Sequence, residues 1–255
     1  MAPRPEALRD ALLAWYGAHA RDLPWRRTRD PYAILVSEVM LQQTQVARVI
    51  ERYEQWLVRW PTAASLAATP RDEVLRAWVG LGYNRRALAL HAACTVVARD
   101  GWPQDLETLP GVGPYTAAAL GAFAFGRDVV AVDTNARRLF ARLGVALAPT
   151  PGAAAVFNQA TIELGARICT ARAPRCGECP LRLRCDGPGV EVVKPRRKAQ
   201  RFEDTNRFVR GRVIAALASG TPLPDVGPAR LEAALSGLER DGLVARGASG
   251  PQLAS

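Results

Sequence analysis

Four cysteines stand within seventeen residues, Cys169, Cys176, Cys179 and Cys185, in the spacing C-x6-C-x2-C-x5-C. The stretch that carries them also holds Pro174, Gly177 and Pro180, residues that interrupt helices and strands, so packing alone gives no reason to place four thiols there. Thiols this close in sequence can surround one metal centre, and both a tetrahedral zinc and a 4Fe-4S cube accept four thiolates. A chain built this way must close the stretch into a loop around the metal, in a compartment that keeps thiols reduced. The fifth cysteine, Cys94, lies alone in a helical stretch and reads as a small buried hydrophobe.

Ahead of the loop, from Glu6 to about Leu147, apolar residues recur at helical spacing, as in Leu8, Leu12, Leu13, Trp15 and Tyr16, or Val49, Ile50, Tyr53, Trp56 and Leu57. Breaks fall at Asp22 to Pro31, Trp60 to Thr62, Gly80 to Gly82, Gly101 to Pro103, Pro110 to Pro114 and Pro149 to Gly152. The pattern predicts an all-α domain over 1–190, built from helices of ordinary length joined by short turns. Beyond Cys185, Lys194-Pro195-Arg196-Arg197-Lys198 is a basic stretch that predicts a linker over 191–205, either lying along a polyanion or solvated. In 206–255, helices around Asn206 to Ala218 and Ala229 to Asp241 precede short strand patterns at Gly242 to Gly247 and Gln252 to Leu253. That order predicts a small winged-helix-like module, whose remaining helix would have to fit within Pro222 to Pro228.

At 255 residues and 49% apolar content the chain can bury a full core. It contains no uncharged apolar run near the ~18 residues of a membrane span, and Met1 to Asp10 lacks the apolar centre of a secretion signal, so a cytoplasmic, nucleoid-associated protein is expected. The formal charge of +10 favours a polyanionic partner, because neutralised phosphates release counterions. Double-stranded DNA is the leading candidate, although a GC-rich coding sequence would also inflate arginine.

Two features suit chemistry on DNA. Leu109-Pro110-Gly111-Val112-Gly113-Pro114-Tyr115-Thr116-Ala117 puts Gly111 and Gly113 ahead of a small-residue helix, where backbone amides can approach a phosphate; a plain helix corner is the alternative. Glu38 and Asp133 form a pair in contrasting settings. Glu38 is embedded in the apolar run Ile34 to Leu41, where partial burial would let it hold a proton and act as a general acid. Asp133 follows Val129-Val130-Ala131-Val132 and opens a helix at Thr134, where amide donors and a positive helix end favour the carboxylate. Breaking an N-glycosidic bond calls for such a pair, one group to improve the leaving base and one to stabilise an oxocarbenium-like sugar. Taken singly, Asp133 could be only a helix cap and Glu38 could face solvent.

LPGVGPYTA, then AVDTN at Ala131 to Asn135, then the four-cysteine loop, together resemble the helix-hairpin-helix glycosylases of the endonuclease III superfamily over roughly residues 6–190. Within that group LPWR at Leu23 to Arg26, SEVMLQQTQ at Ser37 to Gln45, GLGY at Gly80 to Tyr83 and FNQ at Phe157 to Gln159 resemble the MutY-type adenine DNA glycosylases. The resemblance implies a two-lobed helical fold with a 4Fe-4S cluster on the four cysteines, acting as a monomer on mispaired adenine. It puts the catalytic acid at Glu38 and the catalytic aspartate at Asp133, with Asn135 beside it. It implies an adenine pocket lined by Arg21, Trp25, Arg26, Tyr115 and Gln159, an intercalating pair in Gln43 and Tyr83, and Leu41, Thr44 and Leu81 nearby, Thr44 and Leu81 approaching the opposite base. Tyr115 stands where bifunctional relatives carry a Schiff-base lysine, and the chain's two lysines, Lys194 and Lys198, lie outside this region, so a monofunctional enzyme is expected. The cysteine loop is expected to be structural, without touching the reaction, and to present Arg167, Arg172 and Arg175 to DNA.

Three features depart from the family pattern. Asp133-Thr134-Asn135 replaces the usual DGN, Asn84 follows Tyr83 where a second tyrosine is usual, and no Nudix-like C-terminal domain is discernible, which leaves the preferred opposite base open. A thymine or uracil mismatch glycosylase on the same fold and a non-catalytic metal-cluster DNA-binding regulator are the competing readings.

Overall fold

The computed structural model describes residues 5–185, 187 and 201–255. The basic stretch Lys194 to Lys198 lies outside them. In chain order the described residues form α1 (Pro5–His19), α2 (Pro31–Leu41), α3 (Val46–Arg59), α4 (Ala63–Ala67), α5 (Arg71–Trp78), α6 (Arg85–Asp100), α7 (Pro114–Phe125), α8 (Thr134–Leu143), α9 (Ala154–Arg167), α10 (Asn206–Ser219), α11 (Pro228–Arg240), β1 (Val244–Gly247) and β2 (Gly250–Leu253). The helical expectation holds, with one antiparallel hairpin that pairs Val244 with Leu253. None of the described helices is long and apolar enough to cross a membrane.

The chain divides into two compact units, the described residues of Met1–Ile34, Asp105–Glu107 and Val112–Pro195 in one, and those of Leu35–Gln104, Thr108–Gly111 and Arg196–Ser255 in the other. In the first unit, α1 and α8 pack on α9. Leu8, Leu12 and Tyr16 of α1 meet Leu139 and Leu143 of α8 and Phe157 and Leu164 of α9 in one buried cluster. The apolar spacing of α1 puts these three on one face, and burying a side chain of this size contributes on the order of 2 kcal/mol.

The second unit is built around aromatic side chains. Trp78 at the end of α5 is fully buried, meets Trp56 of α3 edge-on at 5.4 Å, and donates from Nε1 to the Gly82 carbonyl at 3.1 Å. The Thr62 and Ser65 side chains cap the start of α4 reciprocally. The turn after α6 needs glycine at position 111 for two reasons. Gly111 has φ +75°, and a Cβ there would lie 2.6 Å from the Ala89 Cβ of α6. Gly113 and Pro114 then open α7, Pro114 in the first helical turn where its missing N–H costs nothing.

Residues 201–255 belong to this second unit. Thr205 caps α10 by accepting from the Phe208 amide at 3.2 Å, and Val209, Val213, Ala234, Leu238 and Leu253 are buried. No helix occupies 221–227, so two helices and a hairpin stand where a winged-helix module would have three helices. Proline at 222, 224 and 228 within seven residues explains that gap. Arginines fasten this segment to the rest of the unit: Arg76 donates to the Ala218 carbonyl at 2.6 Å, and Arg71 donates to that of Gly242 at 3.2 Å.

Candidate active site

In the first unit the site is organised around Asp133. Asn158 of α9 is fully buried; its Oδ1 accepts from the Ala131 amide at 3.0 Å and its Nδ2 donates to the Val129 carbonyl at 2.9 Å. These two bonds fix the segment that delivers Asp133 to the start of α8. There Asp133 Oδ1 accepts from the Ala136 amide at 2.7 Å and Oδ2 from Asn135 Nδ2 at 2.7 Å. The aspartate is therefore a helix cap, and its second oxygen is aimed by a neighbouring amide.

Behind Asn135 lies Arg138, 8% exposed. Its Nη2 donates to Asn135 Oδ1 at 2.8 Å and to the Gly165 carbonyl at 2.6 Å, and its Nε donates to the Cys169 carbonyl at 2.7 Å. An unbroken chain of hydrogen bonds thus runs from the first cysteine through Arg138 and Asn135 to Asp133. The backbone of the cysteine loop therefore helps to hold the aspartate's partner. Gly165 makes the approach possible: a Cβ on it would lie 2.7 Å from the Asn135 Cβ.

Glu163, on α9, is fully buried and gathers three arginines. Arg21 donates to it from Nε at 2.6 Å and Nη2 at 2.9 Å, Arg26 from Nη2 at 2.7 Å, and Arg167 from Nη1 at 3.4 Å. Burial pushes the Glu163 carboxyl up, but the hydrogen bonds from Arg21 and Arg26 outweigh it and hold the group below the ordinary carboxylate range. Tyr16, whose pKa burial raises, donates to Gln159 Oε1 at 2.8 Å, and the Arg26 guanidinium lies 5.5 Å from the Tyr16 ring centre. Three of the five expected adenine-pocket residues, Arg21, Arg26 and Gln159, therefore belong to one network. The other two, Trp25 and Tyr115, are partly buried, Trp25 in the short turn Pro24–Arg26 and Tyr115 in the first turn of α7.

The four cysteines of the loop line one cavity of about 220 Å³ with Leu139, Ile168 and Leu181. Arg142 donates to Cys169 Sγ at 3.2 Å, and the Cys185 thiol donates to the Arg142 carbonyl at 3.2 Å. Burial raises the Cys179 thiol's pKa, the Leu181 backbone works against it, and the three neighbouring thiols add to the rise. Among the described residues no three His, Cys, Asp or Glu side chains stand close enough to hold a single metal ion. The surrounding arginines do not all face outward. Arg167 is partly buried and donates to the His19 carbonyl at 2.6 Å, while Arg172 and Arg175 are exposed, Arg175 donating to the Arg167 carbonyl at 2.7 Å. Cys94 is fully buried, and burial alone pushes its thiol up to about 12.

In the second unit Glu38 is 8% exposed on α2, between the buried Leu35, Val36, Val39 and Met40. It does not face solvent. Leu41 and Thr44 are partly buried and Gln43 is exposed. Leu81 is buried and lines one cavity with Gln43 and Tyr83. Gln43, with φ +56°, and Tyr83, with φ +47°, are the two non-glycine residues with positive φ among those described, and such strain clusters at functional sites.

Arg86 clamps both segments. It donates to the carbonyls of Val39 at 2.7 Å, Met40 at 3.0 Å and Gln42 at 2.7 Å, to Thr44 Oγ1 at 3.1 Å, and to the carbonyls of Leu81 at 3.2 Å and Gly82 at 2.9 Å. Burial brings its pKa down to about 10, Tyr83 opposing and Arg207 reinforcing the shift, so the clamp is cationic at neutral pH. Sequence reasoning missed Arg86, Arg138, Asn158 and Glu163. Asn158 stood inside the FNQ motif without being singled out, and Glu163 left a signal as a carboxylate between Ala160 and Leu164.

Residues 36–160 match the family model of the HhH-GPD superfamily base excision DNA repair proteins. The chain is 43% identical to an adenine DNA glycosylase of Mycolicibacterium smegmatis, over 94% of this chain and 93% of that one. Among solved structures it is similar to a thermostable thymine-DNA glycosylase, with TM-score 0.66 and 30% identity over 71% of this chain and 94% of that one. It is also similar to endonuclease III in a trapped covalent intermediate with DNA, with TM-score 0.61 and 25% identity over 72% of this chain and 96% of that one. A buried glutamate, a capped aspartate and the glycine hairpin thus occur in a chain that, by these likenesses, belongs to the adenine DNA glycosylases of the HhH-GPD superfamily.

Proposed function

We propose that the enzyme hydrolyses the N-glycosidic bond of adenine mispaired with 8-oxoguanine or guanine in double-stranded DNA, leaving an intact abasic site. The observation that carries this reading is the contrast between its two carboxylates. Glu38 is buried among aliphatic side chains, a setting suited to a general acid, whereas both oxygens of Asp133 accept hydrogen bonds at a helix N-terminus, which hold its carboxylate in place. Glu38 protonates a ring nitrogen of adenine, the electrons of the sugar–base bond pass to the purine, and Asp133 stabilises the cationic sugar. Water then adds its oxygen to the sugar carbon and returns a proton to the glutamate, so the acid is regenerated.

Arg21, Trp25, Arg26, Tyr115 and Gln159 receive the extruded adenine, and Gln43 and Tyr83 enter the stack it leaves. Leu41, Thr44 and Leu81 form the side facing the opposite base, and Gly111 and Gly113 hold a backbone phosphate. With tyrosine at 115, no amine is available there to trap the sugar as a Schiff base. The enzyme acts as a monomer on chromosomal DNA in the cytoplasm.

The same reading assigns a 4Fe-4S cluster to Cys169, Cys176, Cys179 and Cys185. Four thiols lining one cavity can together hold a metal centre, and the likeness to endonuclease III favours the iron–sulfur cube. When bound it would supply cross-linking of the loop, and the Cys169 carbonyl beside it holds Arg138.

The test is a panel of duplexes carrying A opposite 8-oxoguanine, A opposite G, T opposite G and U opposite G. Release of adenine alone is expected. Release of thymine or uracil would favour the chemistry named for the thymine-DNA glycosylase it is similar to, and release of nothing would leave a DNA-binding protein.

A further inference from the structure

Residues 201–255 contribute to a cavity of about 850 Å³ in the second unit, lined by Gln43 and Tyr83 together with Phe202, Arg207 and Arg212. Arg48, Arg85, Arg86 and Arg210 also line it, and its one acidic lining residue, Asp241, is already paired with Arg85 and Arg210. The lining is therefore strongly cationic and partly aromatic, which suits a nucleic-acid strand. Gln43 and Tyr83, the two non-glycine residues with positive φ among those described, lie on it.

Arg207 holds Tyr83 in two ways. Its Nη1 donates to the Tyr83 hydroxyl at 2.6 Å, and its guanidinium carbon lies 3.9 Å over the centre of the ring. The same guanidinium lies 5.7 Å from the Phe202 ring, so a cation sits between two exposed aromatic side chains. The backbone under Tyr83 is fixed as well, because Arg86 binds the carbonyls of Leu81 and Gly82. An exposed tyrosine on strained backbone, gripped at face and hydroxyl, is oriented before any DNA arrives.

We infer that Arg207 is a positioning residue for Tyr83, and that through it residues 201–255 take part in opening the duplex beside the opposite base. This rests on the reading that Tyr83 enters the base stack. A wedge whose rotamer is already fixed loses less freedom on insertion, and the guanidinium adds a stacking surface behind it.

The full chain is the material for the test, as Arg207→Ala, Arg207→Lys, Tyr83→Phe, Tyr83→Ala and the Arg207→Ala/Tyr83→Ala double variant. Two signals are read. One is the fluorescence rise of 2-aminopurine placed next to the opposite base, which reports unstacking without catalysis; the other is adenine release in a single turnover. Arg207→Ala is expected to lower both about 5- to 10-fold, with Arg207→Lys recovering part of the loss and Tyr83→Phe reproducing part of it. In the Tyr83→Ala background Arg207→Ala should add less than about twofold, because coupled residues do not add.

Wild-type behaviour of Arg207→Ala would overturn the inference, as would an undiminished effect in the Tyr83→Ala background, which would mark Arg207 as a plain phosphate contact. If Arg207→Ala does not fold, Arg207→Lys and Tyr83→Phe read the same coupling. A wild-type enzyme that unstacks the duplex but releases no adenine would sink the functional reading and leave this inference standing on fluorescence. Adenine release with no dependence on Arg207 would do the reverse.

Discussion

Asn135 Nδ2 donates to Oδ2 of Asp133 at 2.7 Å, and that amide is itself aimed by Arg138 from behind. The geometry of the aspartate thus depends on how closely α9 approaches α8, and Gly165 sets that distance. Gly165→Ala would put a Cβ 2.7 Å from the Asn135 Cβ and 3.0 Å from its carbonyl oxygen, and the backbone cannot yield without moving Asp133. The expected cost is about 1–3 kcal/mol in urea unfolding. Adenine release from fully bound duplex should fall about tenfold or more.

Glu163→Gln should destabilise the first unit by about 2–4 kcal/mol. The value lies below the full cost of an orphaned buried charge because the Arg21 side chain keeps 36% of its exposure. The pH dependence has a fixed sign. The folded-state pKa of Glu163 is held below the ordinary value, so its contribution is present above the unfolded pKa of about 4.3 and is lost as pH falls through the folded pKa. Melting temperature measured from pH 7 down to pH 3 should therefore fall less steeply in Glu163→Gln than in the wild type.

Arg86→Lys should loosen two segments at once. An ammonium has three donors and no fork, and cannot serve the seven acceptors that Arg86 reaches, the Tyr83 carbonyl included. A loss of about 2–4 kcal/mol is expected. Amide hydrogen exchange should quicken in both Gln42–Thr44 and Leu81–Tyr83; quickening in only one would contradict the clamp.

The sequence made the periodic and punctuated parts of the molecule legible. Helical spacing and turn residues marked the helical region from α1 to α8, although the turns between α2 and α3 and between α4 and α5 fall outside the breaks read from the sequence, and the hairpin around Gly247 to Gly250 followed from its glycines. Asp133 was legible because an apolar run ending in aspartate before Thr134 is a helix cap by local rules. Hidden were residues whose role depends on distant backbone. Arg86 follows another arginine at the start of α6 and reads as surface charge, yet its acceptors lie as far back as Val39. Arg138 joins Cys169 to Asn135 across 31 residues, and no local pattern announces that. The helix expected within Pro222 to Pro228 is absent, and the prolines at 222 and 224 account for that.

Purified protein should be coloured and contain iron and acid-labile sulfide. Cys179→Ser should lose visible absorption and iron together, and should lower thermal stability. Because the Cys169 carbonyl holds Arg138, adenine release should fall as well, in parallel with a weakened Asp133 rather than through any step on the metal. Stoichiometric zinc in place of iron would overturn the cluster assignment.

The most direct test of the account is single-turnover adenine release from a duplex with A opposite 8-oxoguanine, comparing wild type, Glu38→Gln and Asp133→Asn, with and without alkali. Asparagine still caps a helix, so Asp133→Asn removes the charge while keeping α8 in place. Wild type should give strand scission only after alkali, and each variant should lose about a hundredfold or more in rate while still binding the duplex. Near wild-type release by Glu38→Gln or Asp133→Asn, or strand scission without alkali, would contradict it.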